Sequence, residues 1–152
     1  HSQAFVYVST AFSNCTNDTV KEEHSKSLIE VDKLLTVVEC LDDDKLEAIN
    51  PVLRDTCPNN YILTKLSAEN AVLKYGDTFP TCIVRPSIVI ATSDEPIKGW
   101  INNVYGATGI LVAAAIGLLH TVHACKEDKA EMIPADYVIS NIIAAAWDVG
   151  TR

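Results

Sequence analysis

Basic residues are scarce in this chain. Twelve Lys and Arg stand against twenty Asp and Glu over 152 residues, a net charge of −8. They are scattered along the sequence, whereas a phosphate-binding surface needs them clustered, so a nucleic-acid partner is excluded. Paired metal-type cysteines are also missing. The five cysteines (Cys15, Cys40, Cys57, Cys82, Cys125) show no CxxC spacing and no His at zinc-finger intervals, which favours free thiols in a reducing compartment, with Cys82 as a core residue. No long apolar run occurs either: the longest, residues 107–119, falls short of the roughly twenty residues that span a bilayer. The chain begins "HSQAFVYVST", without an initiator Met or the basic start of a signal peptide, and reads as cut rather than natural at that end.

A hydrophobic content of 48% with 21% charged residues is globular, and the length suits one domain over residues 1–152 with its own core. A small molecule is the expected partner.

Residues 4–8, "AFVYV", have the near-continuous apolar character of a parallel strand covered on both faces. Residues 16–27 are polar and aperiodic, a surface loop. From Ser27 onwards, Leu28, Val31, Leu34, Leu35, Val38 and Leu41 recur at helical intervals. "DDDKLEAI" predicts a second short helix, capped by Asp42 or Asp43 and ended by Pro51. A third helix is expected from Pro58 or Asn59 to Lys74 or Tyr75, with Gly76 as its stop. "TCIVRPSIVIA" reads as one buried strand whose regularity Pro86 breaks at its carboxyl end, completing a βαβ crossover. "AEMIPADYVISNIIAAAW" predicts a short strand and a helix over residues 136–147, with Asp136 as N-cap and Val138, Ile142, Ala145 and Ala146 inward. The pattern is α/β with parallel strands, the second half of a Rossmann-like doubly wound sheet.

One spacing carries chemistry. In "NNYILTKLSAEN", Tyr61 and Lys65 stand four apart on the third helix and so share a face. A cation beside a phenol favours the phenolate, which suits proton transfer near neutral pH. Alone, the pair is better explained by a solvated helix face. Ser9 and Thr10 in "VSTA" close the first strand, and "RPS" at 85–87 follows the second, the edge where open parallel sheets bind ligands. A hydroxyl from Ser9 or Thr10 could hold a carbonyl oxygen while Tyr61 gives the proton, an apparatus for adding hydride from a nicotinamide. His120 and His123 lack a third metal ligand, and "DDD" at 42–44 is a solvated helix start.

These residues resemble the extended short-chain dehydrogenase/reductases. The wording of the whole chain ("FVYVSTAFSN", "NYILTKLSAENAV", "CIVRPSIV", "GWINNVYGATGILVAAAIGLL") looks like their fatty acyl-CoA reductase branch, of the kind found in insects. The "GW.N..G.TG" stretch with its Ala-rich sequel is more specific than YxxxK.

The resemblance implies Tyr61 as proton donor and Lys65 as the residue that orients the nicotinamide ribose. Thr10 comes first and Ser9 second as the third hydroxyl, and Pro86 and Ser87 lie along the nicotinamide. It implies NADPH as cofactor, fatty acyl-CoA as substrate, a primary alcohol formed through an aldehyde as product, and association with peroxisomal or endoplasmic reticulum membranes, facing the cytosol. The family opens with a glycine-rich βαβ unit that receives the pyrophosphate on a helix N-terminus, and none of the six glycines here forms one. The expectation is therefore an internal piece of a reductase domain, with the activity belonging to its parent. Rival readings are an epimerase or carrier-thioester reductase using the same Tyr, Lys and hydroxyl set, and a non-catalytic binding protein that keeps the fold. Residues 107–119 read as buried or ligand-facing, as an acyl tunnel, a membrane-docking face or a plain core helix.

Overall fold

The computed structural model describes residues 4–15, 17, 19–23 and 29–152. Strands and helices are both present, and the strands pair in parallel. The chain divides into two compact units, residues 1–85 with 145–152, and residues 86–144.

In the first unit, β1 (Phe5–Val8) pairs with β2 (Thr81–Val84), Phe5 opposite Thr81 and Val8 opposite Val84. The Ser9 amide extends the ladder by one bond to the Val84 carbonyl, 2.8 Å. Both strands thus end at the same level, and residues 9–10 and Arg85 leave the sheet side by side. The covering of β1 is less complete than its sequence implies: Phe5 and Val8 are exposed, while Val6 and Tyr7 are half-buried.

Three helices connect these strands. α1 is Val31–Cys40, α2 Asp43–Arg54 and α3 Asn60–Tyr75. Ser27 and Leu28, where the first helical pattern begins, lie outside the described residues. Asp42 caps α2, its carboxylate accepting from the Lys45 amide at 3.0 Å. Pro51 does not end α2, as the sequence suggests, but lies inside it. Its ring removes one backbone donor, and the helix runs less than one further turn before stopping at Arg54. Asn59 caps α3 through a 2.9 Å bond from the Ile62 amide, and Gly76 closes the other end. One face of α3 buries Ile62, Leu63 and Leu66 against Cys57 and Leu53. Each such aliphatic side chain contributes about 1.5–3 kcal/mol by leaving water.

In the second unit, β3 (Ile88–Ile90) pairs in parallel with β4 (Met132–Pro134). The sequence suggests one strand from Thr81 to Ala91, but there are two, with different partners. Pro86 has no amide to offer a ladder and a fixed φ, so pairing stops before it and restarts beyond it. α4 (Gly106–Ala115) and α5 (Ala135–Thr151) complete the chain.

The family-like "GATG" at α4 has a backbone reason. Gly106 holds φ 55, and a Cβ on Gly109 would stand 2.3 Å from the Val104 carbonyl oxygen. α4 buries no residue, and Ile110, Leu111, Val112, Ile116 and Leu118 are exposed, which goes against the plain core helix among the alternatives for 107–119. No helix among the described residues is long and apolar enough to cross a membrane.

Asp136 is not the N-cap of α5, which begins one residue earlier. Its carboxylate instead gathers the loop after β3, accepting from the amides of Ser93 (2.9 Å), Asp94 (3.0 Å) and Glu95 (3.3 Å). The Ser93 amide is the largest influence, and with burial opposing and the Asp94 and Glu95 amides adding, the carboxyl is held at about 2. A depressed carboxyl stabilises the fold fully above its unfolded value near 4 and loses that contribution as pH falls through the folded one. The gap in thermal midpoint between the protein and Asp136→Asn should therefore be level above about pH 4 and close towards pH 2. A gap that does not change over that range would refute this role.

Candidate active site

The carboxyl ends of β1 and β2 hold most of the chemistry in the first unit. Lys65, on α3, donates from Nζ to the Val8 carbonyl at 2.9 Å, which fixes its ammonium group at the end of β1. The same nitrogen lies 6.0 Å from the centre of the Tyr61 ring and 5.4 Å from that of Tyr7. The cation stands near two aromatic rings, one from the helix and one from the strand, a favourable placement for each. Tyr61 is 54% exposed, open to an incoming ligand. The i, i+4 spacing does bring the sequence-read pair together, with Val8 as the anchor that spacing could not reveal.

Ser9 and Thr10 are both buried, and both hydroxyls already have partners. Ser9 Oγ donates to the Glu69 carboxylate. Thr10 Oγ1 accepts from the Phe12 amide at 3.3 Å and so caps a short 3₁₀ turn, Ala11–Asn14. Pro86 and Ser87 are half-buried at the start of the second unit.

Three residues of this region had no role in the sequence reading, although Arg85 stood in its "RPS" stretch at the sheet edge. Glu69 is 1% exposed, and it accepts from Arg85 Nε (2.9 Å), Arg85 Nη2 (2.7 Å), Ser13 Oγ (3.0 Å) and Ser9 Oγ. Burial pushes its carboxyl up more than any other single influence, but the Arg85 bonds and charge with the two serine hydroxyls together hold it below its ordinary value. Arg85 also reaches the Glu23 carbonyl, 3.1 Å. Tyr7 is the third: burial first, then the charges of Glu69 and Tyr61, raise its phenol above the usual range. A signal for Glu69 was available, since it follows Tyr61 and Lys65 at i+8 and i+4 on one stripe of α3.

His120 and His123 are exposed, and no group of three or more metal-type ligands occurs among the described residues. The five cysteines are unpaired; Cys57 is buried and Cys82 half-buried, its thiol pushed up by burial and then by Asp148.

A dinucleotide can be tested against these donors. The Lys65 ammonium gives one of its three hydrogens to Val8, leaving two for sugar hydroxyls at a sheet edge, and the exposed Tyr61 phenol stands beside it. That donor set fits the nicotinamide-ribose end. No glycine-rich turn in the chain offers amides to a pyrophosphate.

An exposed Tyr, a strand-anchored Lys and two hydroxyls thus stand at the carboxyl edge of parallel strands, the edge where α/β proteins bind ligands. Residues 1–142 match the NAD-binding family described as "Male sterility protein", and the chain belongs to that family. It is similar to the fatty acyl-CoA reductase wat of Drosophila melanogaster (35% identical over 147 residues, 97% of this chain and 28% of the relative). Fatty acyl-CoA reductase 1 of Xenopus laevis is 38% identical over 150 residues, 99% of this chain and 29% of that protein. Fatty acyl-CoA reductase 2 of Bos taurus is 37% identical over 145 residues, 95% and 28% respectively. The chain thus spans less than a third of the length of the curated relatives it matches.

Proposed function

We propose that the protein is an NADPH-dependent reductase that converts a fatty acyl-CoA, through an aldehyde, to a primary alcohol. The observation that carries this is the Lys65 ammonium tied to the Val8 carbonyl beside the exposed Tyr61 phenol, in a chain resembling fatty acyl-CoA reductases over nearly its whole length. The nicotinamide, when bound, would supply hydride twice, from two successive NADPH molecules: once to the thioester carbonyl, with coenzyme A leaving as the free thiol, and once to the resulting aldehyde. Tyr61 gives the proton to the substrate carbonyl oxygen, and Lys65 holds the ribose. Thr10, ahead of Ser9, whose hydroxyl hydrogen is given to Glu69, is the hydroxyl that steadies that oxygen. Pro86 and Ser87, by the family resemblance, line the nicotinamide. On this reading the chain is the part of a Rossmann-like sheet that follows the glycine-rich unit, and the family resemblance supports a peroxisomal or endoplasmic reticulum membrane, on its cytosolic face, as the protein's location.

The test is to express the complete reading frame that encodes this chain, supply palmitoyl-CoA with NADPH or NADH, and follow nicotinamide absorbance and lipid products. Oxidation of NADPH with hexadecanol formed is the expected result. An NADH preference would overturn the cofactor assignment, and no turnover would overturn the activity.

A further inference from the structure

Glu69 is the one fully enclosed large side chain among the described residues, and it is ionic. Four bonds converge on it from three places: Arg85 just past β2, Ser9 just past β1, and Ser13 in the turn that follows. It sits on the helix that carries Tyr61 and Lys65. A single carboxylate therefore ties together the ends of both strands and α3, which between them bear the Tyr, the Lys and both candidate hydroxyls. Apolar side chains of similar volume could serve stability as well as a buried ion pair does. They could not accept a hydrogen from a serine.

The hydrogens assign the roles. A serine has one hydroxyl hydrogen, and that of Ser9 goes to Glu69, so Ser9 cannot also donate to a substrate carbonyl. Ser13 divides its hydrogen between Glu69 at 3.0 Å and the Thr10 carbonyl at 2.9 Å, which pins the backbone of Thr10. Thr10 Oγ1 accepts from Phe12, and its own hydrogen is left to give. We propose that Glu69, locked by Arg85, is the positioning residue of the reductase: it holds Ser9 and Ser13 as struts, so that Thr10 is the hydroxyl that meets the substrate oxygen. The inference rests on the reductase reading above.

The experiment uses the complete reading frame and the variants Ser9→Ala, Glu69→Gln and their double. Each single change should lower kcat about tenfold or more while KM for palmitoyl-CoA moves less than about threefold, because a displaced Thr10 costs the transition state more than binding. The double should lie within about twofold of the worse single, since both changes cut one strut. Folded Ser9→Ala with kcat within about twofold of wild type, or losses that multiply, would overturn the proposal. If Glu69→Gln does not fold, Ser13→Ala takes its place, because it removes a strut while leaving Ser9 and the Glu69 and Arg85 pair intact, and a folded Ser13→Ala with kcat within about twofold of wild type would overturn the proposal. A wild type without turnover rejects the reductase reading instead. Amide exchange over residues 9–15 then decides: faster exchange confined there in Ser9→Ala keeps the clamp, and unchanged exchange removes it.

Discussion

Replacing Tyr61 by Phe should lower turnover of the complete enzyme by about 10²–10⁴-fold, the range for losing a positioned general acid. The change removes one oxygen from a side chain that is 54% exposed, so the fold should not register it. α3 keeps its Asn59 cap and its buried face of Ile62, Leu63 and Leu66. Lys65 keeps its bond to Val8 and its distance to the Tyr7 ring, so the cation stays where the ribose is proposed to bind. Unaltered thermal midpoint, unaltered NADPH affinity and a collapsed kcat are therefore expected together. Steady-state kinetics with a nucleotide-binding titration checks all three. Turnover within threefold of wild type would return Tyr61 and Lys65 to the status of polar residues on an ordinary helix. Lys65→Met is a poorer test, because losing the ammonium group also frees the Val8 carbonyl at the end of β1.

What could be read from the residues beforehand was whatever depends on near neighbours. The Asn59 cap, the i, i+4 pair of Tyr61 and Lys65 and the stop at Gly76 are local, and α3 forms where they place it. The half-buried Ile142, Ala145 and Ala146 and the buried Val138 of α5 follow equally from helical period. Where a distant partner decides, composition misled. Thr81 to Ala91 looks like one strand because every residue but those near Pro86 is apolar or β-branched, yet β2 pairs with β1 and β3 with β4. Hydropathy alone leaves residues 107–119 open between core and ligand-facing, and α4 buries none of its residues. Glu69 drew no reading. A Glu in a helix reads as surface, and only Arg85, sixteen residues onward at the end of β2, makes its burial tolerable. Asp136 was legible as a structural carboxylate but not as the clamp of residues 93–95, which come to it from more than forty positions away.

Removing Arg85 should cost more stability than any other single change considered, about 3–5 kcal/mol for Arg85→Met near neutral pH, because a carboxylate is left enclosed without its counter-charge. The magnitude follows from how completely Glu69 is shut in, at 1% exposure, and from the two bonds of 2.9 and 2.7 Å that vanish. The hydroxyls of Ser9 and Ser13 remain but bring no charge. The pH dependence should reverse with the substitution. In the native protein the carboxyl is held below its ordinary value, so its contribution is present above the unfolded pKa and fades as pH falls. Without Arg85, burial is the dominant influence and raises the folded pKa above the unfolded one. The variant then recovers stability as the carboxyl takes up a proton on acidification, and loses it as pH rises. Urea unfolding at several pH values should show the gap between the two proteins narrowing towards pH 4, with a second change, Glu69→Leu in the Arg85→Met background, recovering much of the loss at neutral pH. A gap that widens on acidification would mean that the carboxylate of Glu69 was not what Arg85 neutralised.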